Sequence, residues 1–461
     1  MRSLLSICWF GFIIVCLGCT PDLPNAANIT PVTAIPTPSN PDLCAMGQDE
    51  TQSWQTRLDS LTMIHDRAGQ CEADIDLLLY VAYVNYGQVL EDDGTQSQAI
   101  EAYRSALQYF PDGTNARARL QRLESPNLSP TIERCDTSTP SGELDDYVPT
   151  DGSFVTFGRA GFQLNNAPFP IYGVTYYPSA TPFELFLTET DLDDVAFELD
   201  LIESVGINTI RIFLRPDDLF ICPAVVPHVE NFERLDGILA LAGEQDLRVI
   251  MVLNYDIVPS ILYFEAYIQA QMQFIVARYQ DEPTILAWDI RDQGDVDYRN
   301  GFVRQDIALR WLADAVISLR TIDTQHPITI GYWQDSTVVA PFIDFVSFQF
   351  YEDYDNLRQE IANLRASTNR PILLSGIGYS TFTVSDISQR NLLFQAFEEV
   401  ANNGLMGWVV NHAFDYPRTV TCTPPDCPSE ASDLNQYGLW NTGYFPKLAI
   451  EAVRITTGID E

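Results

Sequence analysis

Beyond residue 150 the chain alternates short, continuous apolar runs with longer stretches whose apolar positions recur every three or four residues. The first kind reads as strands buried on both faces, the second as amphipathic helices packed against them. The expected strands are FPIYGVTYY (169–177), GINTIRIFL (206–214), LRVIMVLNY (247–255), TILAWDI (284–290), PITIGYW (327–333), DFVSFQFY (344–351), PILLSGIG (371–378) and GWVVNHAF (407–414). Helices are expected near 191–204, 232–244, 261–279, 304–321, 355–367, 386–403 and 446–456. Eight such strand candidates in alternation with helices predict an α/β fold, a (β/α)8 TIM barrel over 151–461. A doubly wound open sheet is the competing arrangement, but no Gly-rich phosphate loop opens any of the helices, and no cofactor is expected.

Upstream the period changes. In YVNYGQVLEDDGTQSQAIEAYRSALQYFP, Tyr83, Gly87, Ala99, Tyr103, Ala106 and Pro111 fall at the spacing of a tetratricopeptide repeat (TPR), whose small residues let two antiparallel helices approach. Residues 54–63 and 115–123 read as further helical pieces. Because a stable array normally takes about three repeats, 44–125 is expected to be a small N-terminal all-α, TPR-like domain, serving either as a peptide-binding surface for a protein partner or as a packing spacer. Two Pro- and Thr-rich stretches without period flank it, a tether over 20–43 and a linker over 126–150.

The N-terminus, MRSLLSICWFGFIIVCLGC, carries one basic residue and then an apolar run of about 14, too short to span a bilayer. It resembles a bacterial lipoprotein signal (1–19) in which Cys19 becomes the lipidated residue, although Cys16 stands where an aliphatic side chain is usual. An ordinary signal peptide or an uncleaved anchor are the alternatives. The expectation is an exported, extracytoplasmic chain, lipid-anchored to a bacterial cell membrane and touching it only through that lipid.

Charge and cysteines narrow the picture. With 26 basic against 63 acidic residues, a formal charge of −37 repels phosphate backbones and anionic head groups, so no nucleic acid partner is expected. Once Cys8, Cys16 and Cys19 are set aside with the signal, Cys44, Cys71, Cys135, Cys222, Cys422 and Cys427 remain, an even set that suggests disulfides in an exported protein. The pair singled out is Cys422 with Cys427, in the loop CTPPDC. No CxxC and only four histidines speak against a metal site.

In a barrel of this kind the working residues sit at the C-terminal ends of the strands. Here these are Tyr176 and Tyr177, Arg211, Asn254 and Tyr255, Asp292 and Gln293, Trp333 and Asp335, Gln349 and Tyr351, Gly376 and Gly378, and Asn411 to Asp415. Aromatics and amides with a few charges suit a sugar-binding groove, since rings stack on apolar sugar faces and amides bond hydroxyls. The competing reading is that some of these aromatics plug the barrel mouth.

From Phe154 to the C-terminus the sequence resembles retaining (β/α)8 glycoside hydrolases of the cellulase and mannanase type, the family-five-like group. PFPIYGVTYYP, GINTIRIFL, TILAWDIRDQ, DFVSFQFY, RPILLSGIG and GLWNTGYFPKLA carry the resemblance. Such enzymes place two carboxylates about 5 Å apart, a proton donor after strand four and a nucleophile on strand seven. The resemblance aligns Asp292 with the Asn that precedes the donor, Gln293 with the donor and Gly376 with the nucleophile, so neither catalytic carboxylate is intact. A Gln amide donates no proton at useful pH, and loss of general acid catalysis costs about 10² to 10⁴ in rate. Arg211 matches the arginine that supports the nucleophile and Tyr351 the tyrosine beside it. Gln349 stands where a His is usual, and Asn411 where a Trp platform is usual.

The resemblance therefore implies a carbohydrate-binding, pseudo-glycosidase cleft with substrate contacts from Tyr177, Arg211, Asp292, Gln293, Trp333, Gln349, Tyr351 and Asn411. Two alternatives stay open. One is an active glycosidase using displaced carboxylates, with Asp292 as the leading acid and Asp295, Asp297, Asp335, Glu352 and Asp415 nearby in sequence. The other is an envelope scaffold acting through the TPR-like domain.

Overall fold

The computed structural model describes residues 40–49, 52–67, 75–111, 114–124, 144–221, 225–352, 354–417 and 433–459. The signal with Cys19, most of the tether, much of the linker and the pair Cys422 and Cys427 lie outside the described residues. Cys44 is disulfide-bonded.

Eight parallel staves close into a barrel. They are β1 (Ile171–Thr175), β2 (Thr209–Phe213), β3 (Arg248–Val252), β4 (Ile285–Asp289), β5 in two halves (Ile328–Thr329 and Gly331–Tyr332), β6 (Val346–Phe350), β7 (Ile372–Ile377) and β8 (Gly407–Val410). Each pairs in parallel with the next, and β8 pairs back onto β1 through Gly407 with Ile171 and Val410 with Val174. The first half of β5 bonds to β4 and the second to β6, so the ring is continuous across the break. The expected strands and helices fall where the apolar periods put them. β2 and β3 are buried along their whole length, as strands covered on both faces must be.

The helices turn one apolar stripe inward. In Leu192–Glu203, Val195, Leu199 and Ile202 recur at four- and three-residue spacing and are fully buried, while the N-cap Asp191 side chain accepts from the Asp193 amide. The floor of the barrel is closed by a small antiparallel sheet, Thr156–Gly158, Gly161–Leu164 and Ala167–Pro168. It packs Phe157 and Phe162 against Phe345, with ring centroids 5.6 and 5.5 Å apart, beside Ile171, Ile250, Leu286, Leu373 and Val409. The last residues of the expected linker also belong to this floor. Tyr147 donates its hydroxyl to Glu282 at 2.6 Å and the Thr150 amide donates to the same carboxylate at 2.8 Å.

Upstream, Ile75–Asp92 and Gln96–Tyr109 form an antiparallel pair in which Gly87 faces the Tyr103 ring; a β-carbon on Gly87 would lie 2.6 Å from that ring. Helices Trp54–Asp66 and Thr114–Glu124 flank the pair. The group packs on barrel helix Gln305–Arg320, where Ile317 joins the Tyr80 and Tyr103 cluster and the Tyr80 hydroxyl donates to buried Asp314.

Candidate functional site: the cleft at the C-terminal ends of the staves

A cavity of about 740 Å³ opens at the C-terminal end of the barrel. Tyr177, Arg211, Asp292, Gln293, Trp333, Gln349, Tyr351 and Asn411 all line it. The barrel topology explains the convergence, since all but Arg211, which reaches up from the middle of β2, lie near or just past the C-terminal end of their staves.

Arg211 on β2 is the cation at the base of the site, only 2 % exposed. Its Nη2 donates to Asp289 Oδ2 on β4 and to Asp292 Oδ1 just beyond it, each at 2.7 Å. Burial works against the guanidinium charge, but Asp292 and then Asp289 outweigh it and hold the proton more tightly than usual. Asp289, fully buried, is pushed above the usual carboxylate range by burial, with Arg211 opposing. Its second oxygen accepts the Gly331 amide at 2.9 Å, which explains the break in β5: that N–H is turned to Asp289 and to the Arg291 carbonyl. Only glycine fits there easily, because a β-carbon would sit 3.1 Å from Arg211 Nη2 and 3.2 Å from Asp289 Oδ2.

From Asp292 the network passes to amides. Gln349 on β6 donates its Nε2 to Asp292, and its Oε1 accepts from Gln293 Nε2 at 2.9 Å and from the Tyr351 hydroxyl at 2.9 Å. Both ends of the Gln349 amide are thus engaged, and Gln293 acts as a hydrogen-bond donor, a role that an ionised Glu could not fill. Arg211 engages the aspartates rather than a carboxylate on β7. At that position Gly376 pairs with Gln349 in register, and a β-carbon on it would stand 2.9 Å from the Tyr351 hydroxyl and 3.0 Å from Gln349 Cγ.

The displaced acids of the alternative reading divide, and most serve structure. Asp295 accepts the backbone amides of Trp333 and Gln334 at 2.8 and 3.0 Å. Asp297 is locked by Arg291 and the Tyr263 hydroxyl, and Asp415 by Lys447 and the Gly438 amide. Asp335 and Glu352 line a separate hollow. Of that set only Asp292 reaches the main cavity, where Glu184 and Asp256 accompany it.

Several lining residues were not singled out from the sequence: Phe183 and Glu184 after β1, Arg215 after β2, and Leu434 and Tyr437 from a distant loop. His412 lines the same wall. Burial pulls its pKa from 6.5 down to about 4, so it is neutral, and its Nδ1 has no hydrogen-bond partner among the described residues. The buried hydroxyl of Tyr177 is likewise unpartnered. Tyr255 is pushed up to about 12 by burial and then by Asp292. Phe183, Asp256, Gln293 and His412 all have positive φ, at 55°, 55°, 50° and 136°, a backbone region costly for such side chains. A positive-φ signal of this kind has no signature in the sequence outside glycine and asparagine.

Among the described residues no group of three or more His, Cys, Asp or Glu is placed to hold a metal ion.

No protein-family model and no curated protein matches the chain. Solved structures do match. A variant of GH5_18 from Streptomyces cattleya, in complex with Manβ1-4GlcNAc, superimposes with a TM-score of 0.53 at 17 % identity, over 63 % of this chain and 80 % of that one. A variant of GH5_18 from Bifidobacterium longum subsp. longum with the same disaccharide gives 0.53 at 15 % identity, over 63 % and 78 %. GH5_18 from Bifidobacterium longum subsp. infantis gives 0.52 at 15 %, over 63 % and 78 %. The chain therefore has the (β/α)8 barrel fold of glycoside hydrolases of this kind.

Proposed function

We propose that the barrel binds carbohydrate in this cleft without the retaining hydrolysis of the enzymes it resembles. The observation that carries the reading is the glycine at 376, where a nucleophile would be needed and where even a β-carbon would stand 2.9 Å from the Tyr351 hydroxyl and 3.0 Å from Gln349 Cγ. Gln293 as an amide donor supports the same reading at the proton-donor position. Exposed Trp333 and the lining amides Gln293 and Asn411 supply what a neutral sugar needs: an aromatic face and polar groups for its hydroxyls. Neighbours of this fold were crystallised with Manβ1-4GlcNAc, which makes β-linked oligosaccharides the first ligands to try. Backbone strain gathered on four lining residues fits a built recognition surface.

In the same proposal the chain is exported and anchored through Cys19, and the helices over 40–124 are a TPR-like module. The first rests on the sequence signal, the second on the Gly87 and Tyr103 contact. The test is calorimetric titration of the intact chain with oligosaccharides of β-glucan, mannan and peptidoglycan type. Saturable binding is expected, weakened about tenfold in Trp333→Ala, with no released sugar. Silence towards all three would overturn the reading.

A second reading has its own observation: Glu184 and Asp256 face the cavity that Asp292 lines, so an acid pair outside the family positions is conceivable. Sugar release that disappears in Asp292→Asn would select it.

A further inference from the structure

Beside the cleft lies a second hollow of about 500 Å³, between the end of β5 and helix Tyr354–Ser367. Trp333, 39 % exposed, borders both hollows, so a chain-like ligand leaving the cleft crosses this ring into the second. Its lining differs from that of the cleft. Asp335, Glu352 and Glu360 bring three carboxylates to it, and Asn363 adds an amide beside Asn356, whose Nδ2 donates to Glu352 at 3.0 Å. Asp335 pairs with Arg299 at 3.7 Å, an exposed ion pair of little strength. Burial, followed by the charges of Asp335 and Glu352, raises the Glu360 carboxyl above its usual range, with a hydrogen bond from Asn363 opposing. Asp335 and Glu352 thus each stand close enough to Glu360 to oppose its charge.

A second observation is independent of charge. Ser336 is 1 % exposed and lines the hollow, and its Oγ has no hydrogen-bond partner among the described residues. A buried hydroxyl in that state is a site for a polar ligand or water.

We infer that this hollow is a second subsite, continuous with the cleft over Trp333, that takes a protonated amine on a sugar chain. The inference rests on the carbohydrate reading of the cleft and extends it to the charge of the ligand. An ammonium group near Asp335, Glu352 and Glu360 relieves their repulsion, and the ring of Trp333 offers a face to the sugar that carries it. The acidic balance of the whole chain, −37, favours the approach of such a cationic polymer at low salt.

The experiment titrates the intact chain with a β1,4-linked glucosamine hexamer, its fully N-acetylated counterpart and a neutral mannan hexamer at low and high salt. The amine-bearing hexamer should bind about five- to tenfold more tightly than the acetylated one at low salt. That advantage should vanish in Glu352→Gln/Glu360→Gln and shrink with salt, while the variant's affinity for the neutral hexamer stays unchanged. Equal affinities for amine and acetylated hexamers, or an advantage that survives the double substitution, would overturn the inference and leave the cleft reading intact. Binding of the amine hexamer alone, insensitive to Trp333→Ala, would overturn the cleft reading and with it a subsite continuous over Trp333, leaving only charge attraction to the acids. No binding by any hexamer removes both.

Discussion

The Tyr351 hydroxyl stands 2.9 Å from the point where a β-carbon on Gly376 would be. That one contact ties β7, the stave that would carry a retaining glycosidase's nucleophile, to the residue that follows β6, and it sets a phenol beside the place. Restoring the two carboxylates as Gln293→Glu/Gly376→Glu should therefore yield no sugar release, because a new side chain on β7 must first displace the Tyr351 hydroxyl and Gln349 from their hydrogen bonds. Gly376→Ala alone should cost about 1 to 3 kcal/mol of stability through overpacking, read from denaturant midpoints. A stable alanine variant would show that Tyr351 and Gln349 give way easily.

Arg211→Met should be among the most damaging changes in the barrel. It leaves Asp289, fully buried, without its cation, a loss of about 3 to 5 kcal/mol. A double variant that also replaces Asp289 by Asn should recover part of that loss, and thermal denaturation of the two side by side measures it. No recovery would mean that packing, not charge, makes Arg211 necessary.

Stability should carry a signature of His412 in mild acid. Its folded pKa is about 4 against an ordinary 6.5, so between those values the unfolded chain holds more protons than the folded one. Stability is then lost as pH falls from 6.5 to 4, with nothing contributed above 6.5. The full penalty is about 3 kcal/mol. Buried acids such as Asp218, raised to about 6 by burial, work in the opposite sense, so the readout is a difference between chains. His412→Gln should lose less stability than the parent across that interval, and parallel profiles would refute the assignment.

Tyr80→Phe removes the donor that the upstream helices present to Asp314 on the barrel. A loss of about 1 to 3 kcal/mol is expected, with faster amide exchange in helix Gln305–Arg320. Unchanged exchange there would place the docking energy in the apolar contacts of Ile317 instead.

The sequence spoke most clearly where burial imposes a period. All eight staves, and helices such as Leu192–Glu203, follow from apolar spacing alone, because a strand covered on both faces cannot hide its composition. Strand-end position likewise brought eight residues from six staves to one cavity. What the sequence concealed was pairing. Nothing in the string tells that Asp295 serves two backbone amides while Asp292, three residues earlier, faces the cavity beside Arg211. Phe183 and Tyr437 come from irregular loops without any period, so only coordinates could bring them to the wall. The clasp of Tyr147 and Thr150 on Glu282 was equally hidden, since Pro and Ser around it read as linker.

That clasp fixes where the preceding segment joins the barrel: Tyr147 and Thr150 are held to Glu282, at the end of the staves remote from the cleft. The stretch 144–150 contributes no lining residue to the cavity, so the mouth and the point of attachment occupy opposite ends of the same cylinder.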